Sequence, residues 1–168
     1  MQYFSGKGDQ GLSKMINGGE ISKGDPIFSL LGAIDELNAF IGFAICAISD
    51  KQTKSDLYLI QITFSKIMGQ IAGVKGPYQN ELKITESLNW LEDKIKQVGD
   101  TTNHPAEFTY PGKTEAGARL DVCRTVARRV ERIAVSFDVN AHSLIEKYYP
   151  YLNRVSTYFF VLRLKFDN

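Results

Sequence analysis

Thr114-Glu115-Ala116-Gly117-Ala118-Arg119-Leu120-Asp121-Val122-Cys123-Arg124-Thr125-Val126-Ala127-Arg128-Arg129-Val130-Glu131-Arg132-Ile133-Ala134-Val135-Ser136 is the stretch that decides the fold. Leu120, Cys123, Ala127, Val130 and Ala134 recur at helical steps, so a helix is predicted from about Thr114 to about Ser136 with one apolar seam. Arg124, Arg128 and Arg132 then lie on the flank of that seam, with Glu131 between seam and ladder. Like charges at i, i+4 cost about 0.2–0.5 kcal/mol per pair unless neutralised. Asp121 and Glu131, each three positions from a ladder arginine, meet part of that demand. The rest, with Arg129 beside it, suits a polyphosphate such as a nucleotide triphosphate.

Outward from this helix the same period recurs. Asp25-Pro26 is a helix start, a capping carboxylate followed by proline at the first helical position. Ile27, Leu30, Leu31, Ile34, Leu37, Ile41 and Ala44 carry that helix to about Ile48. Leu57, Ile60, Phe64, Ile67, Met68 and Ile71 predict a second from about Ser55 to Ala72, ended by Gly73, Gly76 and Pro77. Ile84, Leu88, Leu91, Ile95 and Val98 make a third, closed by Gly99. Pro150 opens the last, which buries Leu152, Val155, Phe159 and Leu162 and ends near Lys165. No alternating apolar run suggests a sheet. Five amphipathic helices with short connections imply an all-α, antiparallel five-helix bundle.

The chain has 168 residues, the length of a single domain with one core. A net charge of +1 excludes the global field that draws proteins to nucleic acid or anionic membranes, so any basic site is local. Cys46 and Cys123 lack metal or disulfide spacing and are expected to be buried free thiols. The N-terminus has no leader pattern and no apolar run reaches about 18 residues, so the expectation is a soluble, cytoplasmic protein without membrane or nucleic-acid partners. His104 and His142 have no ligand companions and receive no catalytic or metal role.

Residues 1 to about 24 hold six glycines between Gly6 and Gly24, too many for an element interior, and read as a loop or arm. Ser5-Gly6-Lys7-Gly8-Asp9-Gln10-Gly11 lacks Walker A spacing and follows no strand. Glycines nevertheless let backbone N–H groups approach phosphate oxygens, and Lys7, Ser13, Lys14 and Lys23 add donors. An ordinary flexible terminus and a phosphate cradle are both compatible with this segment. Asp35, Asn38 and Gly42 on the first helix form either a solvated stripe or a place where Asp35 meets a ladder arginine of another helix or subunit. Phe108, before Tyr110 and Pro111-Gly112, is a core plug or an aromatic packed on a flat cofactor; Asn153 bonds a nucleotide or caps a loop.

Taken together, three segments resemble the ATP:cob(I)alamin adenosyltransferases of the propanediol-utilisation (PduO) type. They are Tyr3 to Ser13 continuing through Lys23, Asp25 and Pro26 to Gly32-Ala33-Ile34-Asp35-Glu36-Leu37-Asn38; Phe108 and Pro111-Gly112 leading to Arg124-Thr125-Val126-Ala127-Arg128-Arg129-Val130-Glu131-Arg132; and Tyr151-Leu152-Asn153-Arg154-Val155-Ser156-Thr157-Tyr158-Phe159-Phe160. The resemblance implies a ferritin-like, cobalamin adenosyltransferase-like bundle, one domain over residues 1–168, assembled as a homotrimer with ATP at subunit interfaces beneath the N-terminal loop, residues 1–24. It implies that Ser5, Gly6, Lys7, Gly8, Ser13, Lys14 and Lys23 wrap the nucleotide with Arg128, Arg129, Glu131, Arg132 and Asn153. Arg128 and Phe108 would be catalytic, Phe108 on the lower face of the corrin, and Arg124 would pair with Asp35 across the interface.

The implied reaction moves the 5′-deoxyadenosyl group of ATP to cobalt of cob(I)alamin and releases triphosphate, with magnesium carried on the phosphates and no metal signature in the chain. A corrinoid reductase and an adenosylcobalamin-dependent mutase are the implied partners. A nucleotide-binding sensor or a helical scaffold on the same bundle is the alternative. The sequence departs from the family at Leu12-Ser13, at Asp121 where histidine is common, at Val130 and at Thr157, and it stops at Asn168 without the longer tail expected to help enclose the corrin.

Overall fold

The computed structural model describes residues 3–15, 19–74, 82–141 and 145–168. Five helices are present among the described residues: α1 (Pro26–Ala47), α2 (Lys51–Ile71), α3 (Ile84–Gly99), α4 (Glu115–Ala141) and α5 (Tyr149–Asp167). Cross-helix contacts give their directions. Glu36 meets Arg129 and Phe43 meets Arg119, Asn38 meets Gln61 while Leu31 lies with Met68, and Glu131 meets Asn153 while Thr114 meets Asp167, so α1 is antiparallel to α4 and α2, and α4 is antiparallel to α5. Glu92 meets Arg154 while Lys94 and Tyr158 share Asp56, so α3 runs beside α5 in the same direction. Successive helices reverse, as in an antiparallel bundle.

The predicted seam of α4 is the centre of the core. Leu120, Cys123, Ala127, Val130 and Ala134 are all buried, against Leu30, Ile34, Leu37 and Ile41 of α1 and Leu152, Val155, Phe159 and Leu162 of α5. Each large aliphatic buried this way contributes roughly 1.5–3 kcal/mol. Small residues on α4 let the larger ones of its neighbours interdigitate. By length and composition α1 could cross a membrane, but its inward residues are instead one wall of this core.

Polar groups enter the interior only with partners. Asp56 of α2 is 6% exposed and binds Lys94 of α3 at 3.0 Å, the Tyr158 hydroxyl of α5 at 3.2 Å and the Gln52 amide at 2.9 Å. This carboxylate ties together three helices. Burial, with the Asp56 charge adding to it, pushes the Tyr158 phenol well above its ordinary pKa, so it remains a donor to Asp56.

Several boundaries differ from the sequence reading. The first 24 residues are not featureless: Leu12–Lys14 (β1) and Glu20–Ser22 (β2) pair antiparallel, with Ser13 opposite Ile21. Three-residue strands are too short to show alternation, which is why the pattern gave no sheet. α2 begins at Lys51, not about Ser55, because Asp50 caps it by accepting from the Gln52 and Thr53 amides. α4 continues to Ala141, and α5 starts at Tyr149 after a 3₁₀ turn, Glu146–Tyr148. Cys123 is buried as expected, and desolvation pushes its thiol up to about 12, but Cys46 is exposed on the outer side of α1. Gly73 ends α2 with φ of 76°; Gly76, Pro77 and His142 lie outside the described residues.

The Asp50 cap carries a pH dependence. Its carboxyl is held at about 2 against an ordinary 3.8, first by the Thr53 hydroxyl, then by the Thr53 amide and Lys165. A depressed carboxylate stabilises the fold above its unfolded pKa and loses that contribution as pH falls through the folded one. Asp50→Ala is therefore expected to lower stability by about 1 kcal/mol above pH 5, a typical cap loss. In urea melts across pH, the gap between wild type and variant should close between about pH 4 and pH 2.

Candidate functional site

Three surface clefts collect the residues singled out by sequence. The first is built by the hairpin. Gly6 and Gly11 adopt φ of 70° and 73°, the Lys23 amide donates to the Gly11 carbonyl at 2.7 Å, and Lys23 Nζ donates to the Gly8 carbonyl at 2.8 Å. A Cβ on Gly8 would sit 2.7 Å from Lys23 Nζ, so a side chain there would displace the tip of the lysine from this turn. The resulting cleft, about 540 Å³, is lined by Gly6, Lys7, Gly8, Ser13, Lys14 and Lys23, with Gln10, Leu12 and Glu20. Three lysines face a space edged by glycine backbone, a setting for an anion. Glu20 was not singled out by sequence; only the β1–β2 register brings it opposite Lys14.

The second cleft, about 430 Å³, lies where the N-terminus of α1 meets the C-terminal half of α4. Pro26 and Ser29 line it with Arg129, Arg132, Ile133, Ser136 and Phe137. It adjoins the hairpin in sequence, since Lys23 is three residues before Pro26. Arg129 pairs with Glu36 of α1. Arg128 and Arg132 are exposed and have no ion-pair partner among the described residues. Glu131 accepts from the Asn153 amide at 2.9 Å, and the Asn153 carbonyl oxygen accepts from Arg154 at 2.8 Å, which in turn pairs with Glu92 at 2.8 Å. This chain orients the asparagine and glutamate beside the free arginines.

The third cleft, about 400 Å³, sits at the other end of α4, lined by His104, Phe108, Asp121, Arg124, Phe160 and Arg163 among others. Phe108 is 82% exposed and Tyr110 79%, and their rings meet edge to face at 5.3 Å. Phe108 is therefore no core plug. Arg124 is bound within its own helix by Asp121, at 2.8 and 3.2 Å. Asp35 is exposed in a groove between α1 and α2 with Leu31, Gly32 and Met68. In the single chain Asp35 and Arg124 do not meet.

Thus one chain gathers Gly6, Lys7, Gly8, Ser13, Lys14 and Lys23 at the hairpin, Arg129 and Arg132 at the end of α1, and Phe108 with Arg124 in the third cleft. Arg128 and Ser5 line none of the three clefts. Sequence reasoning missed Arg163 and Asp167. The signal was present: one arginine inside Tyr158-Phe159-Phe160-Val161-Leu162-Arg163-Leu164 must find partners or leave the core. Among the described residues no cluster of three or more His, Cys, Asp or Glu side chains offers a metal cage.

Comparison with known proteins gives concordant matches. A family model described as cobalamin adenosyltransferase matches residues 3–166. The corrinoid adenosyltransferase of Bacillus subtilis is 31% identical over 165 residues, covering 95% of this chain and 83% of that protein. The corrinoid adenosyltransferase PduO of Salmonella typhimurium is 29% identical over 96% of this chain, which spans only 48% of that longer relative. Among solved structures, a phenylalanine-to-histidine variant of a PduO-type ATP:corrinoid adenosyltransferase from Lactobacillus reuteri, complexed with cobalamin and ATP, aligns with a TM-score of 0.87. It is 25% identical and covers 99% of this chain and 91% of its own. An arginine-to-lysine variant from the same organism, complexed with ATP, has the same TM-score and identity, covering 98% and 93%.

The charge balance of the second cleft is testable with inorganic triphosphate. Glu36→Gln releases Arg129 and is expected to tighten triphosphate binding two- to fivefold in calorimetry at low salt, the range of about 0.5–1 kcal/mol for an exposed pair. Arg132→Ala is expected to weaken it by a similar factor. Both effects should shrink as ionic strength passes about 0.15 M.

Proposed function

The chain belongs to the cobalamin adenosyltransferase family, and on that footing we propose that it transfers the 5′-deoxyadenosyl group of ATP to the cobalt of a reduced corrinoid. The carrying observation is that two of the clefts border α4. Its C-terminal half presents Arg129 and Arg132 to the cleft at the start of α1, just after the hairpin in sequence, and Asp121 and Arg124 near its start wall the cleft rimmed by Phe108. Eight residues of helix separate Arg124 from Arg132, roughly 12 Å. That spacing suits a triphosphate gripped at one end while the nucleoside reaches toward the other.

In this reading Ser5, Gly6, Lys7, Gly8, Ser13, Lys14 and Lys23 enclose the phosphates, joined by Arg128, Arg129 and Arg132, while Glu131 and Asn153 orient the nucleoside. The cobalt–carbon bond forms as the bond from C5′ to the triphosphate oxygen breaks, and inorganic triphosphate leaves. No side chain has to exchange a proton in this step. Arg128, exposed and unpaired among the described residues, neutralises charge on the departing triphosphate. Holding ATP and corrinoid in line supplies the proximity contribution. Magnesium would arrive on the phosphates, with Glu20 the carboxylate in the hairpin cleft.

Phe108 lies against the lower face of the corrin, where an apolar ring excludes water and base from the axial position and makes cobalt(II) easier to reduce. Residues 1–168 act as one domain in a soluble, cytoplasmic homotrimer, in which Arg124 exchanges or shares its Asp121 partner with Asp35 of a neighbouring subunit. A reductase supplies the reduced corrinoid and an adenosylcobalamin-dependent mutase takes the product.

The test is anaerobic mixing with cob(I)alamin, ATP and magnesium. Loss of the reduced-cobalt absorbance with stoichiometric adenosylcobalamin and triphosphate is expected. ATP binding without spectral change would make the protein a nucleotide sensor, and absence of ATP binding would make it a scaffold. Phe108→Ala is expected to leave ATP affinity within about twofold and to slow adenosylation about 100-fold, a barrier change of about 2.7 kcal/mol. Equal loss of both would remove Phe108 from the corrin site.

A further inference from the structure

Phe108 projects from the bundle with little to hold it. It is 82% exposed and packs edge-on against Tyr110, itself 79% exposed. The position of such a ring is set by its backbone, and the backbone of the α3–α4 connection is tied down mainly at its ends. Asn168 Nδ2 donates to the Asn103 carbonyl at 3.4 Å, while Thr114 donates from its amide to Asp167 at 3.2 Å and from its hydroxyl to the Phe166 carbonyl at 3.1 Å. Among the described residues, a single hydrogen bond reaches residues 105–112. It runs from Arg163 Nη2 to the carbonyl of Thr109, the residue after Phe108, at 3.0 Å.

Arg163 is built for that contact. It is 4% exposed within an apolar run of α5, and its planar fork points three ways: Nε to Asp167 at 3.2 Å, Nη2 to Thr109, and Nη1 toward Asp121 at 3.8 Å. Asp121, 8% exposed, also holds Arg124, through Oδ1 at 2.8 Å and Oδ2 at 3.2 Å. Two carboxylates and two guanidiniums form a neutral cluster beneath the cleft, which is the condition for keeping charges buried. A hydrogen bond from a buried cation to a carbonyl is stronger than a neutral one. Lysine carries its three donors on one nitrogen and cannot span acceptors that the guanidinium reaches from three separate nitrogens.

We propose that Arg163 is a positioning residue for the transfer reaction: by clamping the Thr109 carbonyl it fixes Phe108 over the corrin cleft. Through Asp121 the same cluster links that clamp to Arg124. The role in catalysis rests on Phe108 acting at the corrin, as proposed above; the clamp itself does not.

The experiment separates the two. In the ligand-free protein, Arg163→Lys is expected to lower the amide ¹⁵N order parameters of Phe108, Thr109 and Tyr110 into the flexible range, below about 0.6, with α4 and α5 as rigid as in wild type. Unchanged order parameters in a folded variant overturn the clamp. With cob(II)alamin and ATP, the variant is expected to show a several-fold smaller four-coordinate cobalt(II) signal by electron paramagnetic resonance, a kcat at least tenfold lower, and ATP affinity within twofold of wild type. A variant whose signal and kcat equal wild type overturns the positioning role. If wild type itself forms no four-coordinate species, the corrin reading of Phe108 fails while the order parameters still decide the clamp. Should Arg163→Lys lose helicity, Asp167→Asn, which keeps an acceptor for Thr114 but weakens the hold on Arg163, is read the same way with smaller changes expected.

Discussion

The antiparallel packing of α4 between α1 and α5 is the constraint on which the rest of the structure depends. Its seam, Leu120, Cys123, Ala127, Val130 and Ala134, is almost entirely removed from water. A helix so committed on one side has no freedom to rotate, so every other residue on it is aimed by the same packing. Arg124, Arg128 and Arg132 stand on one edge because the seam cannot stand anywhere else. Rotation by one residue would bury the arginines and expose the seam, a change opposed by several kcal/mol of apolar burial.

That edge is electrostatically graded. At the start of α4 the charges are neutralised inside the chain, Arg124 by Asp121 and Arg163 by Asp121 and Asp167. At the middle, Arg129 is partnered by Glu36 and Glu131 by Asn153. Arg128 and Arg132 remain exposed and unpaired among the described residues. Paired charges organise structure and unpaired ones recruit ligands. The gradient therefore separates a wall of paired charges, beside the projecting Phe108, from a surface whose cations are unpaired among the described residues.

How much of this was legible beforehand follows from the range of the interactions involved. The five helices were readable because apolar burial imposes a period that survives in sequence. Helix ends were readable where the cap is local and strong, as at Asp25-Pro26, and missed at Asp50, where the capping carboxylate precedes six polar residues that hide the period. The β1–β2 hairpin left no pattern because three residues cannot show one. Cys46 was placed inside since its helix is apolar on more than one side, yet a neighbour covers only part of α1. Phe108 had two readings from sequence, and its exposure removed one.

The sequence by itself determined that this chain is a helical bundle, that α4 carries an arginine edge, and that a glycine-rich lysine-bearing segment precedes the first helix. These depend on neighbours within one or two helical turns, and such relations are written in residue spacing. Tertiary structure alone decided which charges are spent and which are free, because Asp121 with Arg163 and Glu36 with Arg129 are distant in sequence and adjacent only after the helices pack. It also decided that Phe108 stands outside the core on a loop clamped through Thr109 by Arg163. A contact between a side chain and a backbone carbonyl on another element carries no residue identity at the carbonyl end. No reading of spacing or motif could have found it.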